Sequence, residues 1–491
     1  MKYNKILDVD DLNNFNKNKK NKIVVLCHGV FDLVHIGHIK HFEDAKSHGD
    51  ILVVSVTTDI YVNKRPDGPF LDINKRLEYL THLDLVDYVV VSKNNSAIEI
   101  INYIKPNFYA KGIEYKNLKN DSHGNLRKEI KAVTNFGGKI IYTNKEVSSS
   151  SFIVNNLKKD LNKIWYLKAK KSINIDEVIK ISKKIKKLKI CVIGENISDI
   201  YIYSNPLGRS SKNSSLVVQT KNKEVIAGGS EALANNLETY CDSVTLLTQS
   251  LTNVKNIKFK KEIFQIGKII EKSRIIDNHT QVTLLQTYND ANLIWSKEKF
   301  LSFKKYLKKN KFDIIVCIDF GHGFFTKEVV KYITQLDTFL SLNVQTNAGN
   351  RGYNLITKWP KSDYLTITDE ELKLAMQDNN SDLKHLVKKL KKYHKFKMIN
   401  ITMGNKGSVI FKNLKTVSTP AFVTKEENIV DRVGAGDSLF ASTIGFAYLN
   451  SSLDIIGAVG NIAGALNLTF RANKTKITLE KIIKSLSYLL K

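Results

Sequence analysis

An apolar run from Ile23 to Leu26 reads as a buried parallel strand. It passes through Cys27-His28-Gly29-Val30-Phe31-Asp32 and Leu33-Val34-His35-Ile36-Gly37-His38-Ile39 into a segment whose polar and apolar spacing suits a helix. A strand, a tight loop and a helix start in immediate succession are the building unit of an open α/β sheet. The helix start presents unpaired backbone N–H groups and the positive end of a dipole, so it is a natural seat for phosphate. His35 and His38 stand three residues apart there, close enough to face one anion together. Gly29 and Gly37 remove side chains where phosphates would approach the backbone.

The same alternation continues. Strand-like runs at Asp50 to Asp59, Val86 to Val91, Asn107 to Ala110 and Gly138 to Tyr142 are separated by helical segments at Asn74 to Leu83 and Ala97 to Ile104. This predicts a small doubly wound parallel sheet over residues 21–157, with Thr57 to Asp59 at a strand's carboxyl end, where ligands collect. Lys64 and Arg76 add cations, Lys111-Gly112-Ile113-Glu114-Tyr115 forms a loop after a strand, and Ser148 to Ser151 supply hydroxyls that either cap a helix or reach phosphate oxygens. Residues 158–187 carry clustered lysines with Ile and Leu at helical spacing and read as a solvated helical connector. A fresh α/β pattern fills 188–491: a strand Ile190 to Glu195 with Asp199 after it, Gly228-Gly229-Ser230 opening a helix, and a strand Phe312 to Asp319.

Length and composition bound the rest. A chain of 491 residues suits about three domains by length alone, or two larger α/β ones. Its 42% hydrophobic and 25% charged residues suit a globular core. The net charge of +28 admits a nucleic-acid or membrane-surface partner. Lysine and asparagine are spread throughout, however, without a compact arginine-rich or aromatic-interleaved patch, which favours a compositional origin. Such a surface still draws in anionic nucleotides and sugar phosphates. Cys27, Cys191, Cys241 and Cys317 stand singly, with no metal or disulfide spacing. The first twenty residues lack an apolar signal core, and no run of eighteen apolar residues occurs, so a soluble cytoplasmic protein is expected.

The string around His35 and His38 resembles the HxGH signature of the nucleotidyltransferases that include glycerol-phosphate cytidylyltransferases and heptose-1-phosphate adenylyltransferases. The resemblance implies a Rossmann-like domain. In it, His35 and His38 stabilise the pentacoordinate phosphorus as a sugar phosphate attacks the α-phosphate of ATP or CTP and pyrophosphate leaves. It also implies that Gly29, Phe31, Asp32, Gly37, Lys64, Arg76, Lys111, Gly112, Ser150 and Ser151 surround the nucleotide.

Farther on, Asp431-Arg432-Val433-Gly434-Ala435-Gly436-Asp437 resembles the D-x-x-G-A-G-D signature of the ribokinase-like (PfkB) sugar kinases. That implies an anion-holding turn at Gly434, Ala435 and Gly436, Asp437 as general base, and Asp199, Gly228, Gly229 and Asp319 at the phosphate and sugar. The pattern departs at Ala232, where the family often has asparagine. It departs again at Thr368-Asp369-Glu370-Glu371, where an N-x-x-E segment ending in Glu371 would sit by magnesium through water, and at Asn343-Val344-Gln345 in place of D-P-K. Each departure is expected to remove a polar contact, which implies either a changed sugar or a kinase that does not turn over.

Together the resemblances imply the paired activities of the heptose-phosphate kinase and adenylyltransferase fusions, in reversed order, using Mg2+, ATP for the kinase and ATP or CTP for the transferase. The product would be a nucleotide-activated sugar for a surface polysaccharide. The expected partners are nucleoside triphosphates and sugar phosphates, with no nucleic acid or membrane, and the oligomeric state stays open. Two other classes compete: a transferase with a sugar-binding or regulatory kinase-like domain, and a basic nucleic-acid-binding protein.

Overall fold

A computed structural model describes residues 5–7, 15, 19, 21–62, 69, 71–94, 96–113, 125–143, 161–252, 259–289, 291–423 and 429–490. The chain divides into two compact units, Met1–Leu167 with Ser487–Lys491, and Lys168–Leu486.

In the first unit the strands are β1 Ile6–Leu7, β2 Val24–Gly29, β3 Ile51–Thr57, β4 Tyr88–Ser92, β5 Phe108–Gly112 and β6 Lys139–Thr143, joined by helices that include α1 Ile36–Ser47, α2 Ile73–Thr81, α3 Ile98–Ile104 and α4 Asn125–Thr134. They form one sheet in the order β1-β4-β3-β2-β5-β6, parallel throughout. Successive residues of a strand face opposite sides, and both sides are covered here. Val24, Leu26 and Val53 pack with Ile100, Ile101 and Val133 on one face, while Val25, Cys27 and Val54 pack with Phe42, Leu77 and Leu80 on the other. That two-sided burial is why β2 and β3 read as continuous apolar runs. Full burial of each such side chain is worth about 1.5–3 kcal/mol. The strand order reverses between β2 and β5, which opens a crevice at their carboxyl ends.

The second unit runs through β7 Lys189–Gly194, β8 Asn196–Arg209, β9 Leu216–Gly228, β10 Ser243–Thr248, β11 Lys260–Ile263, β12 Ile270–Asp277, β13 Thr283–Tyr288, β14 Ile314–Asp319, β15 Phe339–Val344, β16 Lys361–Thr368, β17 Lys395–Thr402, β18 Ser408–Lys412 and β19 Lys415–Thr419. Nine of these make a sheet ordered β11-β10-β7-β14-β15-β16-β17-β18-β19, parallel from β11 to β17 and antiparallel beyond. Its helices include α5 Ile175–Ile185, α6 Gly229–Leu237, α7 Asp369–Met376, α8 Ala435–Tyr448 and α9 Leu453–Asn467. Glycines let α8 pack closely: a Cβ at Gly445 would come within 2.8 Å of Ile185, and one at Gly460 of α9 within 2.8 Å of Thr443.

Two features differ from the sequence reading. A separate four-stranded sheet, β13-β12-β8-β9, stands apart from the nine-stranded one. Most of β9 and β13 is exposed, so neither strand has the apolar run that marks a buried one. The expected connector at 158–187 is not merely solvated: α5 buries Val178 and Ile185, the latter against Gly445. Its lysines cover the outer face of a helix that is packed on the other.

Candidate functional site

In the first unit the loop after β2 delivers His35 to the N-cap position of α1, in extended backbone (φ −134°, ψ 174°). The Gly37 N–H donates to His35 Nδ1 at 3.1 Å, and the His35 N–H donates to His38 Nδ1 at 3.4 Å, a capping box built from two imidazoles. An imidazole that accepts at Nδ1 carries its hydrogen on Nε2. The backbone thereby assigns both tautomers and makes each Nε2–H a donor. The rings lie 4.2 Å apart, and burial holds His35 below the usual imidazole range, so this donor operates uncharged at neutral pH.

Phe31 adopts a left-handed conformation (φ 49°) and sets its ring edge-on to His38, 5.6 Å between centroids, and 5.1 Å from Phe42. Gly29 serves that ring: a Cβ at position 29 would stand 3.0 Å from it. Gly29, expected to clear space for phosphate, clears space for the Phe31 ring. Asp32, buried, accepts the Leu71 N–H at 2.8 Å.

Arg76, expected at the triphosphate, has its donors committed within the protein. The side chain is 0% exposed, and its five N–H donors go to the Leu71, Val30 and Thr57 carbonyls at 2.6–3.0 Å and to the Asp59 carboxylate. It ties the loop after β2 to the end of β3. Lys64, Ser150 and Ser151 lie outside the described residues, as do Glu114 and Tyr115.

Across the crevice, Lys111 and Gly112 end β5. Lys111 Nζ is 3.2 Å from Glu129 Oε2 and sits 4.8 Å above the Tyr109 ring. Burial pushes the Glu129 carboxyl up. The Lys111 charge, with hydrogen bonds from the Ala97 N–H and the Tyr109 hydroxyl, outweighs burial and holds it below the usual carboxylate range. The Thr143 hydroxyl donates to the Lys111 carbonyl at 3.3 Å, so His41 Nδ1, 2.7 Å from that hydroxyl, is the donor there. Burial and the Lys111 charge push His41 down to about 4. Thus α1, which starts with the histidine pair, is pinned to β5 and β6.

In the second unit α8 begins at Gly434, which has φ +85° and brings no side chain to cap the helix. A Cβ there would collide with Asn473 Oδ1 at 2.2 Å, whereas one at Gly436 would meet open space. Ala435 opens α8, and Asp437 follows in its first turn. Asp437 is 9% exposed, and its Oδ1 accepts the Gln345 amide at 2.8 Å. Burial pushes its carboxyl up to about 6 against that hydrogen bond; the Asp199 and Glu371 charges add to the rise and the Lys272 charge opposes it.

Asp199, on β8, receives Arg274 Nη1 at 2.6 Å. A Cβ at Gly228 would stand 2.2 Å from Asp199 Oδ2, and Gly229, at φ +56°, has the Glu195 carbonyl 2.4 Å from where its Cβ would be. The two glycines are what allow α6 to start against this carboxylate. Lys272 pairs with Asp199 across β8 and β12, and burial lowers its ammonium from the usual lysine range. Lys272 and Arg274 were missed in the sequence. Their signal was two cations spaced by two on a strand, which puts both on one face.

Asp319, expected at the phosphate and sugar, is engaged within the protein. It is fully buried, with Oδ1 taking the Gly321 N–H at 3.1 Å and Oδ2 taking Trp359 Nε1 at 2.8 Å and Lys358 Nζ at 2.7 Å. Beside it Glu195 accepts the Phe320, His322 and Phe324 N–H groups, and burial with the Asp319 charge pushes its carboxyl up to about 7. Glu371 is likewise engaged: Oε2 takes the Thr368 N–H and hydroxyl, and Oε1 takes the Thr346 N–H at 2.9 Å. Thr368 is thus half of a capping box on α7. Ala232 is buried in α6. Among the described residues no group of three or more His, Cys, Asp or Glu side chains could hold a metal ion, and no helix is long and apolar enough to cross a membrane.

Residues 26–156 match the family model described as cytidylyltransferase-like, and residues 267–476 match that of the pfkB family carbohydrate kinases. Similar curated proteins include the bifunctional protein HldE of a Nitratiruptor species, 35% identical over 126 residues, 25% of this chain and 26% of that protein. The HldE of Geobacter metallireducens is 33% identical over 123 residues, 25% of this chain and 24% of that protein. These alignments lie in the transferase part, so the match spans about a quarter of each relative's length. The crystal structure of Escherichia coli phosphofructokinase-2 in complex with potassium shares the fold of the second part, with a TM-score of 0.51 at 10% identity over 62% of this chain and 100% of that one. The chain thus carries, in order, a nucleotidyltransferase-like α/β domain similar to the cytidylyltransferases and a ribokinase-like domain similar to the pfkB carbohydrate kinases.

Proposed function

We propose that the protein is a bifunctional enzyme of sugar-nucleotide synthesis. One site transfers a nucleotidyl group from ATP or CTP to a sugar 1-phosphate, heptose-like by analogy with the HldE relatives, and releases pyrophosphate. The other phosphorylates a sugar or sugar phosphate with ATP. The observation that carries the reading is the histidine pair: two imidazoles at one helix start, 4.2 Å apart, each holding Nδ1 against the backbone and so presenting Nε2–H. In the transfer step an oxygen of the sugar 1-phosphate attacks the α-phosphorus, the bond to the β-phosphate oxygen breaks, and pyrophosphate departs. The added negative charge on the α-phosphate oxygens then meets two N–H donors and the positive end of the α1 dipole.

At the second site Asp437 takes the proton of the sugar hydroxyl as its oxygen attacks the γ-phosphorus of ATP, the bond to the β-phosphate oxygen breaks and ADP leaves. The N–H groups of the first turn of α8 receive the transferring phosphoryl oxygens, in the open space beside Gly436. Asp199, which the Gly228-Gly229 turn admits, is the carboxylate available to sugar hydroxyls. Magnesium fits this chain as a partner of the nucleotide's own phosphates rather than of a protein cage, because Glu371 already commits both oxygens to backbone and hydroxyl donors. When bound it neutralises triphosphate charge. Both reactions consume nucleoside triphosphates, so the proposal places them in the cytoplasm.

The test is a screen of the purified protein against four nucleoside triphosphates and a panel of sugars and sugar phosphates, with pyrophosphate and ADP followed separately. Pyrophosphate without ADP on any sugar would favour a transferase with a non-catalytic sugar-binding domain.

A further inference from the structure

We propose that Gln345 is the positioning residue of the phosphorylation site: its amide nitrogen fixes the orientation of the Asp437 carboxylate and favours its ionised form. The inference rests on reading Asp437 as the base.

The amide of Asn343, on β15, donates through Nδ2 to the Thr366 carbonyl at 2.9 Å, which turns its oxygen toward Gln345. Gln345 Nε2 then donates one hydrogen to Asn343 Oδ1 and the other to Asp437 Oδ1, each at 2.8 Å. Flipping the Gln345 amide would set its oxygen against two acceptors, so the Thr366 carbonyl dictates the direction of the whole relay. Asn343 and Asp437 are both buried, 7% and 9% exposed, where an unmatched acceptor is costly.

Among the described residues Gln345 is the side chain that donates to Asp437. The charged groups that face Asp437 are Asp199 on β8, itself paired with Arg274, Lys272 on β12 and Glu371 on α7. Burial and the two carboxylates favour the protonated acid, whereas Lys272 and the Gln345 hydrogen bond favour the carboxylate that a base requires. A neutral amide does this without the ion pair a lysine would form. The segment Asn343-Val344-Gln345 therefore supplies a polar contact where the sequence implied the loss of one.

The test uses the full chain with Gln345→Met, which keeps length and removes the donor, and Gln345→Glu, which sets a carboxylate against Asp437. Phosphorylation of D-ribose, D-fructose 6-phosphate and D-sedoheptulose 7-phosphate by ATP is followed from pH 5 to 9. Gln345→Met is expected to move the acid limb of kcat upward by about one pH unit with KM for ATP unchanged, and Gln345→Glu to move it farther. An unmoved limb would overturn the proposal.

Thermal unfolding of wild type, Gln345→Met, Asp437→Asn and the double variant over the same pH range separates this from failure of the kinase reading. Coupling predicts that Gln345→Met destabilises more at pH 8 than at pH 5 and that this pH dependence vanishes when Asp437 is Asn. That result without turnover on any sugar would support Gln345 and defeat the kinase reading. A pH-independent effect of Gln345→Met would overturn the proposal even in an active kinase.

Discussion

The Gly37 and His35 N–H groups decide what His35 and His38 can do. By occupying both Nδ1 atoms they leave each ring a donor at Nε2 without need of a second proton. His38→Ala should therefore lower pyrophosphate release by about a hundredfold to a thousandfold, the usual cost of one such donor, with circular dichroism unchanged. Wild-type turnover in that variant would remove the assignment.

Asp437 carries a prediction with a definite sign. Its carboxyl is pushed up to about 6, so phosphorylation should fall about tenfold per unit as pH drops below 6, where the base becomes protonated. The same shift makes the charged form unwelcome in the fold, so its stabilising contribution is present below the unfolded value of 3.8 and is lost as pH rises through about 6. Asp437→Asn should consequently raise Tm at pH 8 relative to wild type more than it does at pH 5. An equal effect at both pH values would show that Asp437 is not titrating in this range.

At the scale of elements, the fold is held at its sites by groups that look like ligands in the sequence. Arg76 reads as a cation beside phosphate but is a buried clasp whose five donors close the loop after β2 onto β3. Arg76→Ala should destabilise the fold, seen as a fall in Tm, because each of the Val30, Leu71 and Thr57 carbonyls left buried without its donor costs roughly 1–3 kcal/mol; an unchanged Tm with weaker nucleotide binding would support the ligand role. Gly228→Ala would drive a methyl group into Asp199 and should raise the sugar KM at the second site while leaving pyrophosphate release at wild-type rate.

The parallel strands were legible because burial on both faces writes itself as an apolar run, and the glycine turns because a positive φ or a close approach demands glycine. The four-stranded sheet was not, since β9 and β13 are mostly exposed and alternate weakly. Nor was the Gln345 relay, which joins residues 92 positions apart and exists only once β15 and α8 are packed. The partners of Asp319 were equally illegible: a carboxylate at a strand end reads as a ligand contact, and only the packed fold shows that it pairs with Lys358 and anchors Trp359.

For the whole molecule, the chain carries two candidate helix starts, at α1 and at α8, in separate compact units. We propose that both seat phosphate and are working sites of different chemistry. The most direct test follows pyrophosphate and ADP together in one reaction mixture of nucleoside triphosphates, sugars and sugar phosphates, with wild type, His38→Ala and Asp437→Asn as full-length proteins. Wild type is expected to form both products, His38→Ala to lose pyrophosphate alone and Asp437→Asn to lose ADP alone. Loss of both products in either single variant, or wild type that forms neither across the whole panel, would contradict the proposal.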